Sequence, residues 1–168
     1  MNKFMLAILV LALVGCKTLT TGEQYQDELY SFEVTNNKVS PPTKVQAIEL
    51  VVNNSEVAGE VASLRLQVPG SLEAFSLLPE HISNLKLDLQ MKLQQKTGSG
   101  PYVPSLDSFM AGFISHLSFY NGKRFITVGS ASAMFAFDEA SVENLITILE
   151  RLEAKNTPKS DIASGTLK

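Results

Sequence analysis

Apolar and polar positions alternate along much of this chain, and the alternation gives way to a helical period only near the C-terminus. In residues 84–93, NLKLDLQMKL, the apolar set is Leu85, Leu87, Leu89, Met91 and Leu93, and Lys86, Asp88, Gln90 and Lys92 lie between them. Successive side chains of a strand point to opposite faces, so this run predicts a strand with one wet face. Residues 29–35, LYSFEVT, alternate in the same way until Asn36-Asn37 and then Pro41-Pro42 break the run. Residues 45–52 and 57–68 flank Asn53-Asn54-Ser55 and predict a hairpin that stops at Pro69-Gly70. A second hairpin is predicted at Asn121-Gly122, because Asn-Gly supplies the two positive φ angles of a type I′ turn. That turn sets Tyr120 opposite Lys123, Phe119 opposite Arg124 and Leu117 opposite Ile126. A further strand is expected over 130–137, after Gly129.

The period then changes. Val142, Leu145, Ile146, Leu149 and Leu152 make one apolar stripe at helical spacing. Asp138 is the expected N-cap, Glu139 and Glu143 suit the positive end of the helix dipole, and Arg151 and Lys155 suit the negative end. The predicted architecture is α+β: a mainly antiparallel sheet of six to eight strands, meander- or sandwich-like, with one C-terminal amphipathic helix packed on it. Antiparallel pairing follows from short connections and from the lack of a helix between successive strands. The globular domain is expected over 29–155, with a disordered tail at 156–168 and a Gly- and Pro-rich loop at 97–105.

The N-terminus departs from both periods. Met1-Asn2-Lys3 is positive, and Phe4 to Val14 is apolar without charge or proline. As a helix this run spans about 17 Å, short of the ~30 Å needed to cross a bilayer, and it matches a signal-peptide core. The only cysteine of the chain, Cys16, follows at once in Leu13-Val14-Gly15-Cys16. This stretch resembles the lipobox of bacterial lipoproteins: an aliphatic residue, a tolerant one, a small one, then cysteine. The resemblance implies a signal peptide over 1–15, cleavage before Cys16, and a diacylglyceryl group on its thiol with a further acyl chain such as palmitate on its amine. It also implies a membrane partner reached through covalent lipid. Lys17 in place of aspartate implies export to the outer membrane, with the domain facing the periplasm. Residues 16–28 then read as the lipidated cysteine and a polar tether.

Charge and composition narrow the activity. The net charge is −3, which disfavours a nucleic-acid surface, since that needs a basic stripe. With Cys16 consumed by lipid, thiol catalysis and cysteine-rich zinc sites are excluded. No other cofactor is implied. The two histidines, His81 and His116, lack the spacing of a metal site and read as structural or solvated. Gly129-Ser130-Ala131-Ser132-Ala133 does not match Gly-x-Ser-x-Gly, and its small residues are expected to let the terminal helix, or else a partner strand, pack closely on the sheet. Residues 71–82, SLEAFSLLPEHI, are expected to form a short helical turn capped by Ser71. Leu72, Phe75, Leu77 and Leu78 in this stretch are candidates for an apolar contact lip. With no acid, base or nucleophile to nominate, the expected function is a non-enzymatic binding or assembly module with an envelope protein partner. The alternative is a carrier of a lipid or other apolar ligand in a half-open β structure.

Overall fold

A computed structural model describes residues 19–35, 38–54, 59–95 and 112–157. The expected signal peptide, the lipobox-like stretch with Cys16, the expected loop at 97–105 and the residues from 158 onward lie outside the described residues. Within them the chain builds two meanders, each followed by a helix. The first meander is β1 (Leu19–Phe32), β4 (Thr43–Asn54), β5 (Gly59–Gln67) and β6 (Ala74–Leu77). A small hairpin, β2 (Val34–Thr35) and β3 (Lys38–Val39), interrupts it after β1. A 3₁₀ turn at Pro79–His81 leads into α1 (Ile82–Gln94). The second meander is β7 (Ile114–Tyr120), β8 (Lys123–Ser130) and β9 (Ala133–Asp138), and α2 (Glu139–Asn156) closes the described chain.

All seven main strands join one antiparallel sheet in the order β6-β5-β4-β1-β9-β8-β7, so the fold is α+β. The last strand of the second meander returns to the first strand of the first. The sheet coils so strongly that Cα atoms of β6, at one edge, come within 8 Å of β8 and β9 near the other. On the face this encloses, α2 presents Val142, Leu145, Ile148, Leu149 and Leu152, all 0% exposed. They share one core with Leu29, Val45, Leu64, Leu66, Phe135 and Phe137 from the sheet. Each such side chain contributes about 1.5–3 kcal/mol on leaving water, so this stripe is the main tie between helix and sheet.

The predicted Asn-Gly turn, the β4–β5 pairing and the helix cap find their physical counterparts. Asn121 and Gly122 have φ of 49° and 74°, and the pairs Tyr120–Lys123, Phe119–Arg124 and Leu117–Ile126 form as the turn type requires. The β4–β5 hairpin runs in register from Gln46–Gln67 to Asn54–Gly59. Asn53 and Asn54 thus belong to β4 rather than to the turn expected at 53–55, and 55–58 lie outside the described residues. Asp138 Oδ1 accepts the Ser141 N–H at 3.0 Å and starts α2.

Five expectations are corrected. Residues 84–93 are not a strand but most of α1, so two helices pack on the sheet rather than one. Residues 19–28, read as tether, are the first ten residues of β1, where bulges between Thr21 and Gln24 and between Tyr25 and Leu29 blur the alternation. Residues 74–77 form edge strand β6 rather than a helical turn, and Ser71 Oγ instead accepts the Glu73 N–H in a local turn. Asn156, placed in the tail, ends α2 and is tied to β5: its Oδ1 accepts the Ala62 N–H at 2.7 Å and its Nδ2 donates to the Ala62 carbonyl at 2.8 Å. Gly129 serves its own hairpin rather than helix packing, because a Cβ there would lie 2.0 Å from the Ala133 carbonyl oxygen.

Candidate functional site

The face of the sheet turned away from the helices carries a groove, and its origin is a strand that leaves the sheet early. The Glu33 N–H donates to Ser40 Oγ at 2.7 Å, and the Ser40 N–H donates to the Glu33 carbonyl at 3.0 Å. These two bonds turn the chain aside into β2–β3, so β1 pairs with β9 only through Ser31–Phe137 and Phe32–Ala136. Phe32 is pinned at the departure point by an edge-to-face contact with Phe125, ring centroids 5.5 Å apart. Phe32 to Thr35 then form one wall of a groove of about 690 Å³. Its floor comes from the residues of β7–β9 that alternate with the core set: His116, Ser118, Thr127, Met134 and Ala136. Tyr120 completes the rim.

This lining is mixed, part polar and part apolar. The hydroxyls of Tyr120 and Thr127 can each donate and accept, and those of Thr35 and Ser118, which already donate to the Lys38 and Phe125 carbonyls, can accept. Burial, and then the charge of Lys92 on the opposite side of β7, keep the His116 ring below its ordinary pKa of 6.5, so it is neutral at pH 7. Ser118 Oγ donates to the Phe125 carbonyl at 3.4 Å. Glu33 is the one carboxylate on the wall, and no lysine or arginine lines the groove among the described residues.

A second polar cluster lies on the helix side of β7. Lys92 Nζ donates to Asp88 Oδ1 at 2.5 Å and to Ser115 Oγ at 2.8 Å, while Ser115 Oγ donates to Asp88 Oδ2. All three residues are buried at 3% exposure. Serine beside lysine is a nucleophile–base arrangement in outline, but here the lysine donates to the serine and the serine proton goes to the carboxylate. With no access for a substrate, the cluster fixes α1 on β7. A third cluster joins the end of α2 to the sheet. Lys155 Nζ donates to Glu49 Oε2 at 2.5 Å and to Glu23 Oε2 at 3.1 Å, and the Tyr25 hydroxyl donates to Glu49 Oε2 at 3.1 Å. Burial first, and then the Glu49 charge, push the Tyr25 phenol up to about 12; the bond to Glu49 raises the Lys155 pKa as well.

The structure separates the residues that the sequence grouped. Of the expected apolar lip, Phe75 and Leu77 are core residues of β6 at 0% exposure, whereas Leu72 and Leu78 are exposed. They form no continuous lip, because alternation along β6 turns its apolar residues inward. His81 is half-buried against Gly112, whose φ of 73° and lack of a Cβ allow the imidazole to sit there. His116 is the one singled-out residue that lines the groove. The groove as a whole was hidden from the sequence because it depends on where β1 departs, although Asn36-Asn37 marked the break. The Asp88–Lys92–Ser115 cluster was missed because a strand reading puts Asp88 and Lys92 in water; their i,i+4 spacing was the available signal.

Among the described residues, no group of three or more His, Cys, Asp or Glu side chains could hold a metal ion, and no helix is long and apolar enough to cross a membrane. No family of known proteins matches the chain, and neither a curated protein nor a solved structure matches it.

Proposed function

We propose that this chain is a bacterial lipoprotein, lipidated on Cys16 and held on the outer membrane with its domain facing the periplasm, and that it acts there as a non-enzymatic binding or assembly module. The observation that carries the reading is the junction of anchor motif and fold. β1 begins at Leu19, three residues after the lipobox cysteine. At about 3.5 Å per residue that leaves the sheet within ~10 Å of the bilayer surface, and two or more acyl chains suffice for a stable anchor. The groove lies at the other end of β1, which runs 14 residues or about 40 Å. A binding face so placed looks away from the membrane, toward other components of the envelope.

Metabolic labelling with tritiated palmitate tests the anchor. The full-length chain is expected to take up label and to sediment with outer membranes. Cys16→Ala is expected to lose the label and to remain unprocessed at the inner membrane. Absence of label from the unsubstituted chain, or its retention in Cys16→Ala, overturns the reading.

A further inference from the structure

The groove invites a more specific statement, which rests on the binding-module reading above. β9 has two edges. β8 covers one edge completely, from Ser130–Ala133 to Phe125–Asp138. β1 covers the other only at Ala136 and Phe137. Among the described residues no strand pairs with Ala133, Met134 and Phe135 on that side, since the chain that would have continued there is tied to Ser40 instead. The vacated position adjoins the groove, because Met134 lines the floor and Glu33, Val34 and Thr35 line the wall.

We propose that the groove takes an extended peptide segment carrying a basic side chain, which adds as a strand to β9 at the position that β1 leaves open. Backbone donors and acceptors on an uncovered strand edge are a template for exactly one kind of ligand backbone, another strand. Alternate side chains of such a segment would stand on the groove side of the sheet beside Ala136, which leaves room, and Met134, which at 49% exposure offers a deformable apolar surface. Charge selects the basic residue. Glu33 stands on the wall, the His116 ring is neutral at pH 7, and no described cation lines the groove to compensate. A volume of about 690 Å³ is of the size that holds a few residues.

The test uses the full-length chain in detergent and phage-displayed random dodecapeptides, with selected sequences resynthesised for fluorescence anisotropy. Recovered peptides are expected to carry lysine or arginine and to bind at least tenfold more weakly to Ala136→Trp, which fills the floor. Glu33→Lys is expected to reverse their charge preference. Bound peptide is expected to slow deuterium exchange at the amides of Ala133 to Phe135, a readout that surface adhesion would not give. Should Ala136→Trp lower the melting temperature, Met134→Trp on the same strand serves the same purpose. The proposal is overturned if no peptide is recovered, if binding survives both fillings, or if protection appears elsewhere. It is equally overturned if a tetramer of N-acetylglucosamine, but no peptide, occupies the groove. Palmitate labelling is independent of all these outcomes, so a labelled protein without peptide binding leaves the anchor standing and removes only the peptide.

Discussion

The two helices of this domain solve the same packing problem in opposite ways. α2 is apolar toward the sheet and polar toward water, with Glu139 in its first turn and Lys155 in its last. α1 buries the ion pair Asp88–Lys92 and leaves Leu87 and Met91 more than half exposed. One helix is legible from periodicity and the other is not. The reason is arithmetic: a period of two contains a period of four. Leu85 and Leu89 are one helical turn apart, and so are Leu87 and Met91, so a strictly alternating run supplies a helix with two apolar rows instead of one. Only the row of Ile82, Leu85 and Leu89 finds the core. The comparison teaches that alternation needs a second witness. Here the witness was composition, because the run consists of Leu, Lys, Gln, Met, Asn and Asp and contains none of the β-branched or aromatic residues that favour strands.

Urea unfolding followed by circular dichroism can break or sharpen this contrast. The largest effect is expected in α1 from Lys92→Met, which strands a buried carboxylate and costs about 3–5 kcal/mol. Replacing the whole cluster, with Asp88→Leu and Ser115→Ala added, is expected to restore stability to within about 2 kcal/mol of the starting protein or beyond it. A loss below about 1 kcal/mol for the single change would mean that water reaches the pair, and the contrast between the helices would fade. In α2 the corresponding loss comes from apolar packing: Leu149→Ala is expected to cost about 2–5 kcal/mol, at the upper end if the cavity stays open.

The next effect is a titration. Tyr25 holds its proton up to about pH 12 in the fold but releases it near 10 once unfolded. Stability from this group is therefore full below pH 10 and is lost as pH rises toward 12, by about 3 kcal/mol; Lys155 shifts in the same direction. Phenolate absorbance should show one of the four tyrosines ionising late, together with unfolding, and Tyr25→Phe should remove that late step. Asp138→Ala, which removes the cap of α2, is expected to cost about 1 kcal/mol. The smallest change is expected from Leu87→Gln with Met91→Gln, within about 0.5 kcal/mol, since those side chains already face water.

Local chemistry was the most readable part of the chain. The Asn121-Gly122 turn, the register it sets, the Asp138 cap and most of the α2 stripe are decided within a few residues of sequence, so the residues themselves announce them. Ile148 escaped because the expected stripe was drawn too narrow; it is as deeply buried as Leu149. What could not be read was relational. β1 hides behind its bulges, β6 looks too greasy for an edge until the coiled sheet brings it against β8 and β9, and the groove exists only because Ser40 pulls Glu33 aside. His116 carried no motif, and its place in the groove follows from the pairing of β7 with β8 rather than from its neighbours in sequence.

The clasp between Asn156 and Ala62 has a consequence for how copies of this protein coexist. β6 covers β5 only from Leu64 to Gln67, so the rest of that border would present backbone groups to any passing strand. A side-chain amide holds N–H donors and a carbonyl acceptor set apart much as a peptide group has them, and Asn156 uses one of each on a single residue of β5. It is a one-residue counterfeit of a neighbouring strand. On the proposed lipid anchor, copies would share two dimensions instead of three and meet far more often than dissolved ones, so a ragged border that would be harmless in dilute solution would become a seam for polymerisation. The helix end seals that seam from within the same chain, at no cost in added residues.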